Sequence, residues 1–454
     1  MKKLALLILA IVVAFATPAF AEVQNVKVGG DIITTYEWNK DLDLDNGNRT
    51  YADNTFINTS TRLYVSADLT DNVQAYVRVI NERDWDAADN VREASGGGDI
   101  EIDCAYVKLS EFLYSPLTIT LGRQEIFWGS GLVVGDGVVK PDTSATTGIM
   151  IRDQYLSQKK GFDAIRITLD YDPWMIDGFY ARIDENSTAA TYTQVSGGNV
   201  GETREDLMGV NVSYVWPNEV LTEAYAVLNR DSDDTNLEDT KRTTVGARAE
   251  GVIDVIDERL SGEAEFAYQM GDYNSKREVK AMAIIAGLTY EFDFEYNPVL
   301  SVKYDFRSGD SFTKTDATRN YENWNAQYND YSIGNLIQKT WVDAAYSQDG
   351  TSFPRGAGGN IVAFTTSASV EPLEDVLVAI DAIWAASDEK QHSQSTKDIG
   401  VELIGTVMYD YTEDVTLAVQ ASWLNQDKAY KTVAVGTDNN TEPYEVIGSV
   451  KVEF

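Results

Sequence analysis

The last eleven residues, 444–454, alternate between two kinds of side chain. One face is aromatic, aliphatic or glycine: Tyr444, Val446, Gly448, Val450, Val452 and Phe454. The other face carries Ser449, Lys451 and Glu453. This period of two predicts a β-strand with one apolar face. In a strand tilted by about 40°, the distance between the two terminal aromatics projects to roughly 25 Å, the height of the lipid-facing band of a transmembrane barrel.

Similar stripes recur along the chain, separated alternately by short turns and by long polar segments. The long segments are rich in Asp, Asn, Gly, Ser and Thr: 40–50, 86–98, 129–160, 187–203, 231–241, 308–358, 387–397 and 425–443. We predict an all-β fold, a transmembrane antiparallel β-barrel of about 18 strands with short periplasmic turns and long extracellular loops. Residues 336–346 could form a strand, but we place them inside the longest loop.

The N-terminus has the pattern of a secretory signal. Lys2 and Lys3 precede an apolar run that ends in Ala19-Phe20-Ala21. We therefore predict a signal peptide at residues 1–21, cleavage after Ala21, and a single barrel domain at residues 22–454. Localisation in the outer membrane of a Gram-negative bacterium follows from an exported barrel.

Composition excludes several functions. The formal net charge of −35 argues against nucleic-acid binding, which needs a basic surface. His392 is the only histidine and lies in a polar loop, so the sequence does not indicate an enzyme. The single cysteine, Cys104, cannot form an internal disulfide and is most simply a residue of the barrel wall. Nothing in the sequence indicates a cofactor.

Three motifs carry a resemblance to a known family. The segment 121–135, Leu-Gly-Arg-Gln-Glu-Ile-Phe-Trp-Gly-Ser-Gly-Leu-Val-Val-Gly, is similar to the Gly-Arg-Gln signature of the alginate-export family. Residues 161–169 and the Ser-Gly-Asp at 308–310 resemble two further segments of that family. The resemblance implies an 18-stranded barrel that carries a polysaccharide through the outer membrane. It also implies lumen positions for Arg123, Gln124, Glu125 and Arg166.

Strict alternation from Leu117 to Leu121 would place Arg123 in lipid, where an arginine costs roughly 2–4 kcal/mol at the midplane. A glycine suits a β-bulge. We therefore predict a local disruption at Gly122–Arg123 that turns Arg123 and Glu125 into the lumen.

Charged residues recur on the polar faces of the strands. We predict that the following residues line the lumen: Arg62, Arg78, Lys108, Arg123, Gln124, Glu125, Arg166, Arg248, Lys303, Asp305 and Arg307. On these polar faces, basic residues predominate in the first third of the barrel, and acidic residues predominate from Glu223 onward. Two interpretations remain open: a self-neutralising network that stiffens the wall, or a basic track that guides hydroxyl- or carboxylate-bearing sugars.

Two loops, 129–160 and 308–358, are long enough to fold into the pore, or to cap it without gating. Asp41, Asp43 and Asp45 form a weak candidate calcium site, since their spacing resembles a calcium loop whose glycine falls one place late.

We expect an outer-membrane channel that passes a polysaccharide or a small hydrophilic solute through a charged, loop-restricted lumen. The alternatives are a general cation-preferring porin and a plugged structural or adhesive surface barrel. The expected partners are outer-membrane lipid, lipopolysaccharide, the transported solute, and the barrel-assembly machinery acting through the strand that ends at Phe454.

Overall fold

The computed structural model describes residues 24–41, 53–85, 100–135, 161–183, 203–233, 240–274, 277–310, 320–325, 328–342, 359–390, 396–427, 429 and 442–454. Cleavage after Ala21, the acids Asp43 and Asp45, and His392 lie outside these ranges.

The described chain forms 18 strands and one helical turn. The strands are β1 Gln24–Lys40, β2 Asp53–Thr70, β3 Val73–Asp84, β4 Ile100–Leu109, β5 Leu117–Gln124, β6 Phe162–Asp170, β7 Trp174–Ile183, β8 Thr203–Val215, β9 Leu221–Asp233, β10 Thr240–Val252, β11 Leu260–Asn274, β12 Arg277–Glu291, β13 Val299–Arg307, β14 Ile361–Leu373, β15 Val376–Ala386, β16 Asp398–Thr412, β17 Val415–Gln426 and β18 Tyr444–Glu453. A five-residue π-helical turn spans Gln338–Val342.

Each strand pairs antiparallel with the next one in sequence, and β18 pairs with β1 to close the ring. The backbones of Gly30 and Phe454 exchange two hydrogen bonds at this closure, of 2.9 and 3.0 Å. The predicted barrel and its strand number are confirmed. Closure leaves no open sheet edge, so every strand finds backbone partners on both sides.

The two ends of the barrel differ in their connections. At the turn end, adjacent strands are joined by short segments, such as residues 71–72 between β2 and β3 and residues 413–414 between β16 and β17. At the loop end most connections are long, as predicted. The exception is the connection between β11 and β12, which is only residues 275–276.

The outer face of the barrel is apolar between two aromatic rims. Near the turn end, the ring of Tyr214 contacts those of Trp174 and Trp216, at centroid distances of 4.6 and 4.8 Å. Near the loop end, Trp38 packs on Tyr444 at 5.0 Å. Such aromatic girdles mark the two surfaces of the membrane. Among the described residues, no helix is long and apolar enough to cross a membrane.

Candidate functional site

Two chain segments fold into the interior of the barrel. The first inner segment is residues 125–135, after β5. The second inner segment comprises residues 320–325 and 328–342, between β13 and β14. Their fully buried side chains include Ile126, Leu132, Trp324, Leu336 and Trp341. Of the two alternatives left open for these loops, entry into the pore or a cap above it, the described residues support entry, and residues 336–342 are not a strand.

The first inner segment is fixed to the wall by two buried acids. The indole Nε1 of Trp128 donates to Asp177 of β7 at 2.8 Å. The backbone N–H of Ser130 donates to Glu265 of β11 at 2.9 Å. Around these bonds, Ile126 packs with apolar side chains of β6 to β9. The segment therefore fills the part of the lumen beside those strands.

The second inner segment is held at its helical turn by Glu402 of β16. This fully buried carboxylate accepts hydrogen bonds from the backbone N–H groups of Asn335, Leu336 and Ile337, at 3.0, 2.8 and 3.0 Å. The first N–H groups of a helical turn lack partners within the turn, and they carry partial positive charge. A carboxylate on the facing wall satisfies three of them at once.

The same turn carries the only cation among the described residues of this segment, and it contacts the wall a few strands farther on. Lys339 is buried, forms an ion pair with Glu445 of β18, and lies 3.6 Å from Glu37 of β1. Two acids from the strands that close the barrel thus share one lysine. The second inner segment reaches across the lumen from β13 to β1.

The two inner segments are also joined to each other. Val134 and Tyr328 form a parallel β-bridge, in which Gly135 N–H donates to the Tyr328 carbonyl at 2.8 Å. The N–H of Asp330 donates to the Gly131 carbonyl at 2.9 Å. The two loops therefore form one internal structure.

The Ser-Gly-Asp motif anchors the root of the second inner segment. Ser308 Oγ accepts from Met282 N–H at 2.9 Å and donates to the Glu322 carbonyl at 2.7 Å. Asp310 pairs with Arg277 at 2.6 Å. A Cβ at Gly309 would lie 2.0 Å from Oδ1 of Asn360, so only glycine fits between them. The motif is thus a structural junction at the loop end.

One side of the lumen stays open. A cavity of about 500 Å³ lies against the inner face of β3 to β6, below the start of the first inner segment. Tyr76, Arg78, Tyr106, Lys108 and Arg166 line it together with threonines of β5 and β6. Since Lys108 lies near the end of β4, the cavity extends toward the turn end.

A stack of tyrosines runs across this wall. Tyr64, Tyr76 and Tyr106 lie on β2, β3 and β4, and their rings are stacked with centroid distances of 5.7 and 5.0 Å. This stack was not identified from the sequence. The stack could have been recognised there, because three consecutive strands each carry a tyrosine at an inward-facing position. Tyrosine offers a flat apolar face and a hydrogen-bonding hydroxyl in one side chain.

Most of the predicted basic lumen residues lie on the inner face and are neutralised there. The ion pairs are Arg62 with Asp31 at 2.7 Å, Arg78 with Asp103 at 2.5 Å and with Glu125, Arg166 with Asp177 at 2.8 Å, Arg248 with Glu223 at 3.3 Å, and Lys303 with Glu263 at 3.0 Å. Lys108 is the exception, since it makes no ion pair with any described residue. The self-neutralising network accounts for most of these charges.

The predicted residues on β13 contact the second inner segment. Arg307 is 1% exposed and donates to the Tyr331 carbonyl at 3.2 Å. Asp305 accepts a hydrogen bond from the Tyr331 hydroxyl, and the Lys303 ammonium lies 4.8 Å from the Tyr331 ring centroid. These three residues therefore hold the segment in place.

The prediction for Arg123 was wrong. The register of β5 runs unbroken from Leu117 to Gln124 on β6, so no bulge switches the parity at Gly122. Arg123 lies on the outer face, where it forms a bidentate pair with Asp163 at 2.8 and 3.1 Å. Gly122 instead has a φ of +121°, which residues with a side chain rarely adopt, and a Cβ there would lie 2.2 Å from the Ala105 carbonyl oxygen, so the position requires glycine.

Gln124 and Glu125 do face inward. The buried amide of Gln124 donates to the carbonyls of Gly122 and Ala164, both at 3.1 Å, and so caps the end of the strand. Glu125 comes directly after β5 and pairs with Arg78. The turn into the lumen therefore occurs after Gln124, three residues later than the predicted disruption began.

One group of potential metal ligands occurs among the described residues. The side chains of Asp103, Cys104 and Glu125 bring ligand atoms within 4.8 Å of one another. Both carboxylates bind the guanidinium of Arg78, which already compensates their charge. We assign no metal to this group.

The fold is similar to solved outer-membrane porins. Pseudomonas aeruginosa OccK9 (OpdG) is 10% identical, with 96% of this chain and 100% of that chain covered and a TM-score of 0.57. Pseudomonas aeruginosa OpdO is 11% identical, with 95% and 98% covered and a TM-score of 0.55. A BenF-like porin from Pseudomonas fluorescens is 10% identical, with 95% and 100% covered and a TM-score of 0.52.

No curated protein matches the chain in sequence. The sequence profile described as "Alginate export" matches residues 24–384, which is well over half of the chain. The match includes all three motifs that carry the resemblance, and the closed 18-stranded barrel agrees with it. This outer-membrane β-barrel belongs to the alginate-export family.

Proposed function

We propose that this barrel is a channel for a hydroxylated solute, a sugar or a short carbohydrate chain, which passes along the inner face of β2 to β6. The observation that carries the proposal is the open cavity with its tyrosine stack and Lys108. Membership of the alginate-export family and the porin-like fold support transport across the outer membrane rather than an enzymatic role.

The chemistry of the cavity suits carbohydrate. The faces of Tyr76 and Tyr106 can pack against the C–H faces of a sugar ring. The charged and threonine side chains around them can exchange hydrogen bonds with its hydroxyl groups. Lys108, which forms no ion pair with a described residue, adds a positive charge near the turn end, and this favours a carboxylate-bearing sugar. The rest of the lumen is narrowed by the inner segments, so we infer single-file passage.

Single-channel conductance in planar bilayers tests this path. We expect the wild-type barrel to conduct, with current blocked by both neutral and uronate oligosaccharides. Lys108→Gln should weaken block by uronates selectively. Tyr76→Ala should weaken both kinds of block by about tenfold, because aromatic contacts are worth on the order of 1 kcal/mol. Tyr409→Ala, on the outer face near the turn end, is the matched control. Equal block in all variants would contradict the proposal.

The plugged barrel is the second candidate, because the two inner segments are densely packed. Trp324, Leu336 and Trp341 are fully buried in one apolar cluster with strand residues. A structural or adhesive barrel of this kind would give no measurable current in the same experiment. A cation-preferring pore is less well supported, since the acids Glu37, Glu402 and Glu445 are buried beneath the second inner segment.

The route to the membrane is part of the proposal. We infer that the leader at residues 1–21 is removed after Ala21 and that the assembly machinery engages the closing strand at Phe454. The pairing of β18 with β1 supports the role of the closing strand, since the C-terminal strand completes the ring.

A further inference from the structure

The wall of the barrel is least continuous where the chain leaves β5 for the lumen. β4 pairs with β3 from Ile100 to Leu109, but only its residues 105–109 pair with β5. Five register pairs thus join β4 to β5, against eight between β5 and β6. Among the described residues, no strand pairs with the remaining edge of β4, residues 100–104. We call the junction between this edge and the start of β6 the side seam.

One side chain closes the side seam on the outer face. Nη1 of Arg123 donates to the Ile102 carbonyl on β4 at 3.1 Å, and its Nε and Nη2 donate to Asp163 on β6. Gly161, just before β6, fits closely beside them. A Cβ at this glycine would lie 2.8 Å from the Asp103 carbonyl oxygen and 3.0 Å from Cγ of Arg123. A single guanidinium therefore joins β4 to β6 where a backbone ladder is missing.

The open cavity lies directly behind the side seam. Cys104 on β4 and Gln124 and Glu125 at the end of β5 line it. The register of β4 shifts opposite Arg78, and this β-bulge leaves Asp103 and Cys104 both buried. Since the first inner segment covers the cavity toward the loop end, the side seam is the least continuous part of the cavity wall.

The side seam lies at the polar boundary of the lipid-facing surface. Arg123 and Asp163 are 42% and 54% exposed, and they are the first outward-facing charges after Leu121 and Ile165. Unpaired backbone groups are not tolerated in hydrocarbon, but water and headgroups can satisfy them at this level. A hydrophilic solute could therefore cross the wall here without entering the apolar core of the membrane.

Building on the function proposed above, we propose that the side seam is the outer mouth of the solute path. The sugar passes sideways between β4 and β6 when Arg123 releases Ile102 and Asp163, while the first inner segment stays in place. The freed guanidinium offers its N–H groups to hydroxyl and carboxylate groups of the passing sugar. Opening here breaks the hydrogen bonds of one side chain, whereas a fully paired junction would have to lose its backbone ladder.

The single cysteine of the chain reports whether the side seam opens. Cys104 is 2% exposed and lies behind the seam. A bulky membrane-impermeant maleimide, added to intact cells, reaches the barrel from the loop end. We expect Arg123→Ala to raise the labelling rate of Cys104 about tenfold, the effect of losing one charge-assisted hydrogen bond. Arg182→Ala, which removes another outward arginine paired with an acid, is the matched control and should label as the wild type does.

Cross-linking tests whether the solute uses the side seam. In a Cys104→Ser background, Ile102→Cys/Asp163→Cys places one exposed thiol on each side of Arg123. A bis-thiosulfonate reagent then joins the two strands reversibly. We expect the cross-link to abolish the passage of neutral and uronate oligosaccharides into proteoliposomes, and reduction to restore it. Val302→Cys/Ala382→Cys, across the fully paired β14, is the matched control and should transport with or without the cross-link.

The outcomes separate this inference from the proposed function. If the cross-linked barrel transports as the reduced one does, the solute does not use the side seam, and the channel proposal stands without it. Equal labelling of Cys104 in the wild type and in Arg123→Ala would also overturn the inference, because Arg123 would not close the seam. If even the wild type passes no oligosaccharide, the proposed function fails and the inference fails with it. Heat-modifiable gel mobility confirms that each variant is folded before it is scored.

Discussion

At the scale of single residues, position in the barrel decides what a charge does. Arg78 and Arg123 belong to neighbouring parts of the wall and both bind acids. Arg78 faces the cavity, where it pairs with Asp103 and Glu125, whereas Arg123 faces outward beside lipid. Side chains alternate between the two faces of a strand, so a shift of one position decides whether a charged residue faces the lumen or the lipid.

The turn between β10 and β11 offers a pH prediction. Arg259 donates from its side chain to both carboxylate oxygens of Asp257 at 3.0 Å, and this holds the pKa of Asp257 well below its usual range. A lowered folded-state pKa contributes stability above the unfolded value of about 3.9, and this stability is lost as the pH falls through the folded pKa. We expect Asp257 to be ionised at about pH 3, as measured by its ¹³C carboxyl shift.

The matched variant for this titration is Arg259→Gln. It should return the pKa of Asp257 toward the ordinary value of about 3.9, because the main hydrogen-bond donor is lost. An unchanged Asp257 titration in this variant would show that the remaining donors, the backbone N–H of residue 259 at 3.0 Å and the Tyr290 hydroxyl at 3.2 Å, are sufficient.

At the scale of elements, the second inner segment depends on one buried lysine. Lys339→Met would leave Glu37 and Glu445 buried without their cation, which costs about 3–5 kcal/mol for a buried pair. We expect the helical turn to leave the wall and the single-channel conductance to rise and fluctuate. Adding Glu37→Gln and Glu445→Gln to Lys339→Met should restore the wild-type current.

The control for this variant is Lys451→Met. Lys451 pairs with Glu453 at the exposed turn end, so its loss should leave the conductance unchanged. If Lys339→Met conducts as the wild type does, the ion pairs do not hold the segment in place.

The strands were predictable from sequence, but the inner segments were only partly so. Alternation such as that of 444–454 is local, and it identified strands, turns and the closing β18. The contact of Lys339 with Glu37 joins positions 302 apart in the chain, and no local period encodes it. Loop length indicated that 308–358 could enter the pore, but only the fold shows which wall receives it.

Arg123 shows a different limit. The cost of a charge beside lipid suggested that the backbone would bulge to turn it inward. The chain instead keeps its register and places Asp163 directly opposite on β6. A cross-strand partner compensates a charge without disturbing the ladder, but the partner can be recognised only when the strand register is known.

At the scale of the whole molecule, closure of the ring by β18 is the main requirement. Truncation before Tyr444 would leave the facing edges of β1 and β17 without partners. Unpaired backbone groups are not tolerated in hydrocarbon. We expect the truncated chain to lose the heat-modifiable mobility of a folded barrel. Phe454→Ala, which keeps the backbone bonds to Gly30, should retain it.

The outward-facing charges at the loop end, such as Asp163 on β6, also affect the orientation of the barrel in the bilayer. On β6, the apolar outer surface runs from Tyr171 to Ile165, up to Asp163, and is roughly 15 Å high. On β18, the apolar outer surface between the two terminal aromatics is roughly 25 Å high. A barrel whose apolar surface is shorter on one side than on the other cannot match a bilayer of uniform thickness while its axis is parallel to the membrane normal. The barrel must therefore tilt, or the bilayer must thin locally beside β5 and β6.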